Sequence, residues 1–215
     1  MLTVVKNPYQ SFLDTEIANR RYDGEYYHLI AKDTLSFDCR QFNLPEENLT
    51  VNQQPVVKRY LAGKDLIHVI KEKPESSRIW MGLDLDHRRL NQREVTLRLL
   101  IQQFVDRFYA GAKVRFVSQR DGDHMASTAR VRGILSPEDG AYLIKLLDKS
   151  LDRLIRAGLS VRSQKFTGTM ETTIYGQGKQ AWAGPHLFNT AEIYRYELGD
   201  FHMEDDVLIF SYTLL

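Results

Sequence analysis

Between Ile79 and Gly158 the hydrophobic period switches from two to about 3.6, back to two and again to about 3.6, and no other feature of the chain constrains its fold as much. The run Ile79-Trp-Met-Gly-Leu-Asp-Leu-Asp86 is short and bounded by polar residues, which predicts a strand. Beyond it Asn91 stands as a helix cap with Glu94 at the capping-box position. Val95, Leu99, Phe104 and Phe108 then space out an apolar stripe that stops near Gly111. Lys113-Val-Arg-Phe-Val-Ser118 alternates as a second strand, Gln119-Arg-Asp-Gly-Asp123 reads as a turn, and Ala126 to Leu135 reads as a third strand. Ser136-Pro-Glu-Asp139 is a strong helix start, with a capping hydroxyl, a first-turn proline and two acids against the helix dipole. That helix turns Leu143, Leu147, Leu151 and Leu154 inward and ends at Gly158.

Further strands are predicted at Leu159 to Arg162, Phe166 to Tyr175 and Val207 to Leu214. Upstream, the signals predict a short helix around Gln10 to Arg20, strands at Tyr26 to Ala31 and Leu66 to Ile70, and a polar, proline-containing loop over Lys71 to Ser77. The order predicts an α+β fold, an antiparallel or mixed sheet core with flanking helices. Repeats and low-complexity tracts are absent, so one domain over residues 1–215 is the simplest reading. Within it, a mixed N-terminal subregion runs to about residue 75 and a motif-bearing subregion starts at residue 78.

Charge and cysteine content narrow the function classes. Lys and Arg number 29 against 28 Asp and Glu, so any polyanion site is a local patch rather than a global attraction. The single Cys39 excludes an intramolecular disulfide and a cysteine-based zinc cluster. The amino terminus lacks a signal-peptide pattern and no run of about 18 apolar residues occurs, which reads as an intracellular, soluble protein without a membrane partner.

Asp84 and Asp86 are the unusual pair, since burying carboxylates beside an apolar run is expensive. In a strand, Trp80, Gly82, Asp84 and Asp86 share one face while Ile79, Met81, Leu83 and Leu85 take the other. Same-face carboxylates lie about 6–7 Å apart at the backbone, near enough to converge on one hard cation together with substrate phosphates. A solvated strand end accounts for the same two residues. A haloacid-type phosphatase fits poorly, because its nucleophilic Asp is followed by Gly and Thr whereas His87-Arg-Arg89 follows here. Two later segments bear on the choice. Ser118-Gln-Arg-Asp-Gly-Asp-His124 offers a hydroxyl, a cation, a turn and an imidazole to phosphate oxygens, with an exposed loop His as the plain alternative. Met170-Glu-Thr-Thr-Ile-Tyr-Gly-Gln-Gly-Lys179 offers a third carboxylate, Glu171, and a glycine-containing turn before Lys179; an ordinary hairpin explains it equally.

Taken in order, these three segments resemble the catalytic core of the archaeo-eukaryotic primase and primase-polymerase superfamily, over roughly residues 78–182. The likeness extends to the primases of herpesviruses and other large DNA viruses and to eukaryotic primase-polymerase, where an acid, then Val or Ile with Tyr, then a basic residue recur at the spacings of Glu171, Ile174, Tyr175 and Lys179. Glu171 stands where the family usually has Asp, and a second basic position falls on Trp182.

The resemblance implies a primase-like core in which Asp84, Asp86 and Glu171 hold two divalent ions, Mg²⁺ or Mn²⁺, with the incoming nucleoside triphosphate. It implies triphosphate contacts from Ser118 and His124, with Arg120 and Lys179 as auxiliary cations, and primer synthesis on single-stranded DNA. Arg88, Arg89, Arg93 and Arg98 flank the first motif and Arg130 and Arg132 share a strand face, which makes them candidate template contacts; a solvated helix face explains the first group as well. Without zinc-module cysteines or a Walker loop, the chain reads as a stand-alone core working with a separate helicase or primase accessory subunit. The competing readings are a catalytically degenerate nucleic-acid or replication-protein binding module of the same fold, and a metal-dependent nuclease or phosphatase.

Overall fold

Strands between Phe12 and Leu83, most of them in the part before about residue 75 that the sequence leaves largely unread, form a curled antiparallel sheet. The structure, a computed structural model, describes residues 9–134, 136–166, 169–181 and 184–215. Two compact units divide the chain: residues 1–42 with 46–89, and residues 43–45 with 90–215. The division falls inside a helix rather than in the polar loop near residue 75.

In the first unit, β1 (Phe12–Tyr22), β2 (Tyr27–Ala31), β3 (Leu49–Val51), β4 (Gln54–Pro55), β5 (Lys58–Ala62), β6 (Asp65–Ile70) and β7 (Arg78–Leu83) pair in the order β4-β3-β7-β1-β2-β6-β5. All pairings are antiparallel. The sheet curls back on itself, because β4 and β5 are two halves of one run: Val56 N–H donates to Leu49 of β3 and Val57 N–H donates to Val69 of β6. Edge backbone groups are thereby paired instead of exposed.

Where a helix is predicted over Gln10 to Arg20, the chain is strand β1. The operative period is two: Leu13 and Ile17 pack on the core formed by Leu29, Leu35, Leu49, Val51, Ile70, Ile79, Met81 and Leu83, and Thr15 between them is buried. An irregularity between Ile17 and Asn19 lets one strand serve two neighbours, β7 along its first half and β2 along its second.

In the second unit, α1 (Leu85–Phe108) contributes its residues from Leu90 onward. From Leu90 to Ile101 it is buried at every position except Arg93. A four-stranded antiparallel sheet, β13-β14-β9-β8, contains β8 (Lys113–Asp121), β9 (His124–Arg132), β13 (Tyr196–Glu204) and β14 (Val207–Leu214). A three-stranded one contains β10 (Val161–Phe166), β11 (Thr169–Ile174) and β12 (Gly178–Ala181). The helix bonds to both sheets: Arg98 donates to Ser118 on β8, and Gln180 on β12 donates to the Leu99 carbonyl. Helix α2 (Pro137–Arg156) is capped by Ser136, whose oxygen accepts from Asp139 N–H, and it buries Leu143, Leu147, Leu151 and Leu154 as its spacing predicts. Each such leucine contributes about 2 kcal/mol. No described helix is long and apolar enough to cross a membrane.

Candidate nucleic-acid interface

The aspartate pair does not share a strand face. Strand β7 stops at Leu83 and α1 begins at Leu85, so Asp84 is the residue between them and Asp86 lies in the helix's first turn. Asp84 caps that helix: its Oδ1 accepts from Asp86 N–H at 3.0 Å and His87 N–H at 3.3 Å, and its backbone oxygen takes the first helical bond from Arg88 N–H. The other oxygen, Oδ2, accepts from Asn48 Nδ2 at 3.2 Å. Leu85, placed by alternation on the buried side, is 41% exposed, and Asn91 and Glu94 lie inside the helix instead of at its start.

A two-metal site needs carboxylate oxygens converging with free lone pairs. Asp84 has both oxygens engaged, Asp86 is exposed on a helical turn, and among the described residues no three His, Cys, Asp or Glu side chains are grouped to hold a metal ion. Glu171 belongs to the second unit, where β11 holds it opposite Gln164 and Ala181. There it meets Lys179, the two charges 4.0 Å apart across the β11–β12 hairpin turned by Gly176. Trp182 lies outside the described residues.

Ser118 is not at a strand exit but midway along β8, opposite Ser127. Its hydroxyl lies 2.6 Å from that of Ser127, donates to Glu94 at 2.5 Å and receives a bond from Arg98. Glu94, fully buried, takes Arg98 Nε at 2.7 Å and the Tyr212 hydroxyl at 2.7 Å on the same oxygen. Burial, reinforced by the Glu94 charge, pushes the Tyr212 phenol well above its usual range, so it stays a protonated donor. This interior network accounts for Ser118 and Arg98 without a ligand. Sequence reasoning had no access to it, since Glu94 and Tyr212 are 118 positions apart.

Of two other expected contacts, one is withdrawn from the surface and the other is engaged by backbone carbonyls. Arg88 is 1% exposed; its Nε and Nη2 grip both oxygens of buried Glu47 at 2.7 and 2.8 Å, and Nη2 also donates to the Leu35 carbonyl. A guanidinium so enclosed cannot reach a template phosphate. Arg93 donates to the carbonyls of Ile193 and Leu215. Arg89 is exposed, as is His124 at the start of β9, while Arg120 turns back to donate to the Gly122 carbonyl.

Arg130 and Arg132 behave differently. They project from the exposed face of β9, and the β8 register sets Arg115 opposite Arg130 and Lys113 opposite Arg132. Four cations therefore stand on two adjacent strands, about 5 Å apart across the pair and about 7 Å along it. Glu204 accepts from Arg130 at 2.9 Å and Asp206 lies 3.8 Å from Arg132, surface pairs of small net worth that leave Lys113 and Arg115 without a carboxylate among the described residues. Sequence reasoning passed over Lys113 and Arg115, although their i, i+2 spacing on an alternating strand was the available signal. No protein-family model matches the chain, and no curated protein matches it.

Proposed function

We propose that the protein binds single-stranded nucleic acid on the outer face of its four-stranded sheet and does not itself synthesise primers. The observation that carries this reading is the Lys113–Arg132 and Arg115–Arg130 juxtaposition. Like charges directly opposite one another destabilise a sheet, and a polyanion is the partner that relieves them. The binding-module reading is also favoured over the enzymatic one by Asp84, Ser118 and Arg98, whose polar atoms serve the fold. A place beside a separate helicase or primase subunit rests on the sequence resemblance alone.

The test is fluorescence anisotropy with a labelled single-stranded oligonucleotide over a salt series. Binding weakens steeply with salt, and Arg130→Ala with Arg132→Ala lowers affinity and flattens the log–log slope by about 0.7 for each phosphate no longer neutralised. Unchanged affinity at low salt removes this face from the reading. Incubating the protein with template, nucleoside triphosphates and Mg²⁺ or Mn²⁺ gives no extended product; primers that disappear in Asp84→Ala would reinstate the polymerase reading.

A further inference from the structure

On the outer face of the first unit's sheet, register alone assembles a second cluster. Arg21 of β1 lies opposite His28 of β2, His28 opposite Val69 of β6, and Val69 opposite Lys58 of β5. The next row runs Asn19, Ile30, Ile67 and Tyr60. Of these, Asn19, Arg21, His28, Ile30, Ile67 and Tyr60 line, together with Asp23, a cavity of about 320 Å³. That volume lies at the small end of ligand pockets.

Within it, three side chains form a relay. His28 Nε2 is 2.7 Å from Asp23 Oδ2, and His28 Nδ1 is 2.9 Å from the Tyr60 hydroxyl. Asp23 is fixed by the β1–β2 turn, where its Oδ1 accepts from the N–H groups of Glu25 and Tyr26. Those backbone bonds, with His28 adding to them, hold its carboxyl far below the usual range, so it is an ionised acceptor. An acceptor at Nε2 places the ring proton there, which leaves Nδ1 to receive the phenol's proton. A nucleophile within hydrogen-bond reach of a base that a third group orients is the general signature of covalent catalysis. Arg21 lines the cavity and has no carboxylate partner among the described residues, and outside the lining Lys58 Nζ sits 5.7 Å from the Tyr60 ring centroid. An anionic substrate is what such a rim selects.

We propose that this cavity is a phosphoryl-transfer site in which Tyr60 is the nucleophile, His28 the general base and Asp23 the positioning residue, acting on a phosphate ester of mononucleotide size or smaller. Tyr60 Oη forms a bond to phosphorus as the bond from phosphorus to the leaving oxygen breaks. The phenol proton passes to His28 Nδ1 and from there to the departing oxygen. Water then attacks the phosphotyrosine, His28 takes its proton, and the proton returns to the Tyr60 oxygen as that bond to phosphorus breaks. Arg21 and Lys58 neutralise charge on the phosphoryl oxygens.

The experiment incubates the full chain with p-nitrophenyl phosphate, and separately with bis(p-nitrophenyl) phosphate, following nitrophenolate release and the mass of acid-quenched protein. The expected result is a burst of one nitrophenolate per chain from one of the two esters, which assigns monoester or diester specificity, with a phosphoryl group mapped by peptide sequencing to Tyr60. Tyr60→Phe, which removes a single hydroxyl, abolishes both signals. Asp23→Asn keeps an oxygen to accept the turn's N–H groups but loses the charge that supports the imidazolium, so kcat falls about a hundredfold or more while KM holds. Release at the buffer rate from both esters, release unchanged by Tyr60→Phe, or a phosphoryl group on another residue overturns the proposal.

Discussion

At the scale of single residues, Asp84 shows how one backbone fact redirects a chemical reading. Its identity was legible, but its role depended on where β7 ends, and that is set by contacts with Asn48, 36 positions away. A cap and a metal ligand respond differently to substitution. Asp84→Ala removes the acceptor for two helix N–H groups and lowers stability by about 1 kcal/mol, while Asp84→Ser or Asp84→Asn retains most of it. Urea denaturation of the three variants checks this; equal losses in all three would count against a capping role. Arg88 is the harsher case. Arg88→Ala takes the cation from the fully buried Glu47 carboxylate and costs about 3–5 kcal/mol, whereas Arg88→Met with Glu47→Leu, which removes both charges, costs less than the single change. Adjacent Arg88 and Arg89 look alike in sequence, and only the distant partner of the first separates interior from surface.

Among elements, those specified by neighbours in sequence were legible and those specified by distant partners were not. Helix α2 announced itself because cap, proline, leucine stripe and terminal glycine all lie within about two dozen residues, and β14 spans the residues predicted for it. Helix α1 gave a misleading start because it is buried nearly all round: without a clear polar face, the Asn91–Glu94 pattern looked like a cap although it lies inside. Short β3 and β4 carry too few residues to show a period at all. Gly82 on β7 is a product of that same hidden pairing. It faces Thr50 of β3, and a Cβ there would sit 2.8 Å from the Thr50 hydroxyl, a stiff β-branched neighbour. Gly82→Ala therefore destabilises by about 1–3 kcal/mol, and adding Thr50→Ala recovers part of the loss. A double-mutant cycle by chemical denaturation reads the coupling, and strict additivity would show that the two residues do not collide.

For the molecule as a whole, pH provides a test of how completely the interiors exclude water. Burial, with the Arg59 charge adding to it, lowers His68 from 6.5 to about 4, and burial likewise lowers His186, whose Nδ1 lies 2.7 Å from the Leu187 carbonyl. The sign follows from linkage. Below pH 6.5 the unfolded chain takes up a proton on His68 while the folded chain does not, so acidification favours unfolding until the folded pKa is reached. The carboxylates with lowered values, Glu16, Asp23 and Glu204, stabilise the fold above their unfolded values near 4.5 and 3.8, and that contribution is lost only below those values. Between pH 6.5 and 4.5 the buried histidines thus dominate, and His68 alone removes about 2–3 kcal/mol over that interval. Urea midpoints should stay level from pH 8 to 7 and then fall steadily to pH 4.5. A His68→Asn variant starts from a lower plateau, because its packing against the curled sheet is poorer, but declines less over the same interval. A decline as steep in His68→Asn as in the parent would mean that His68 is already open to solvent, and the seam where β4 and β5 join the two edges of the sheet would be the place to look for the water.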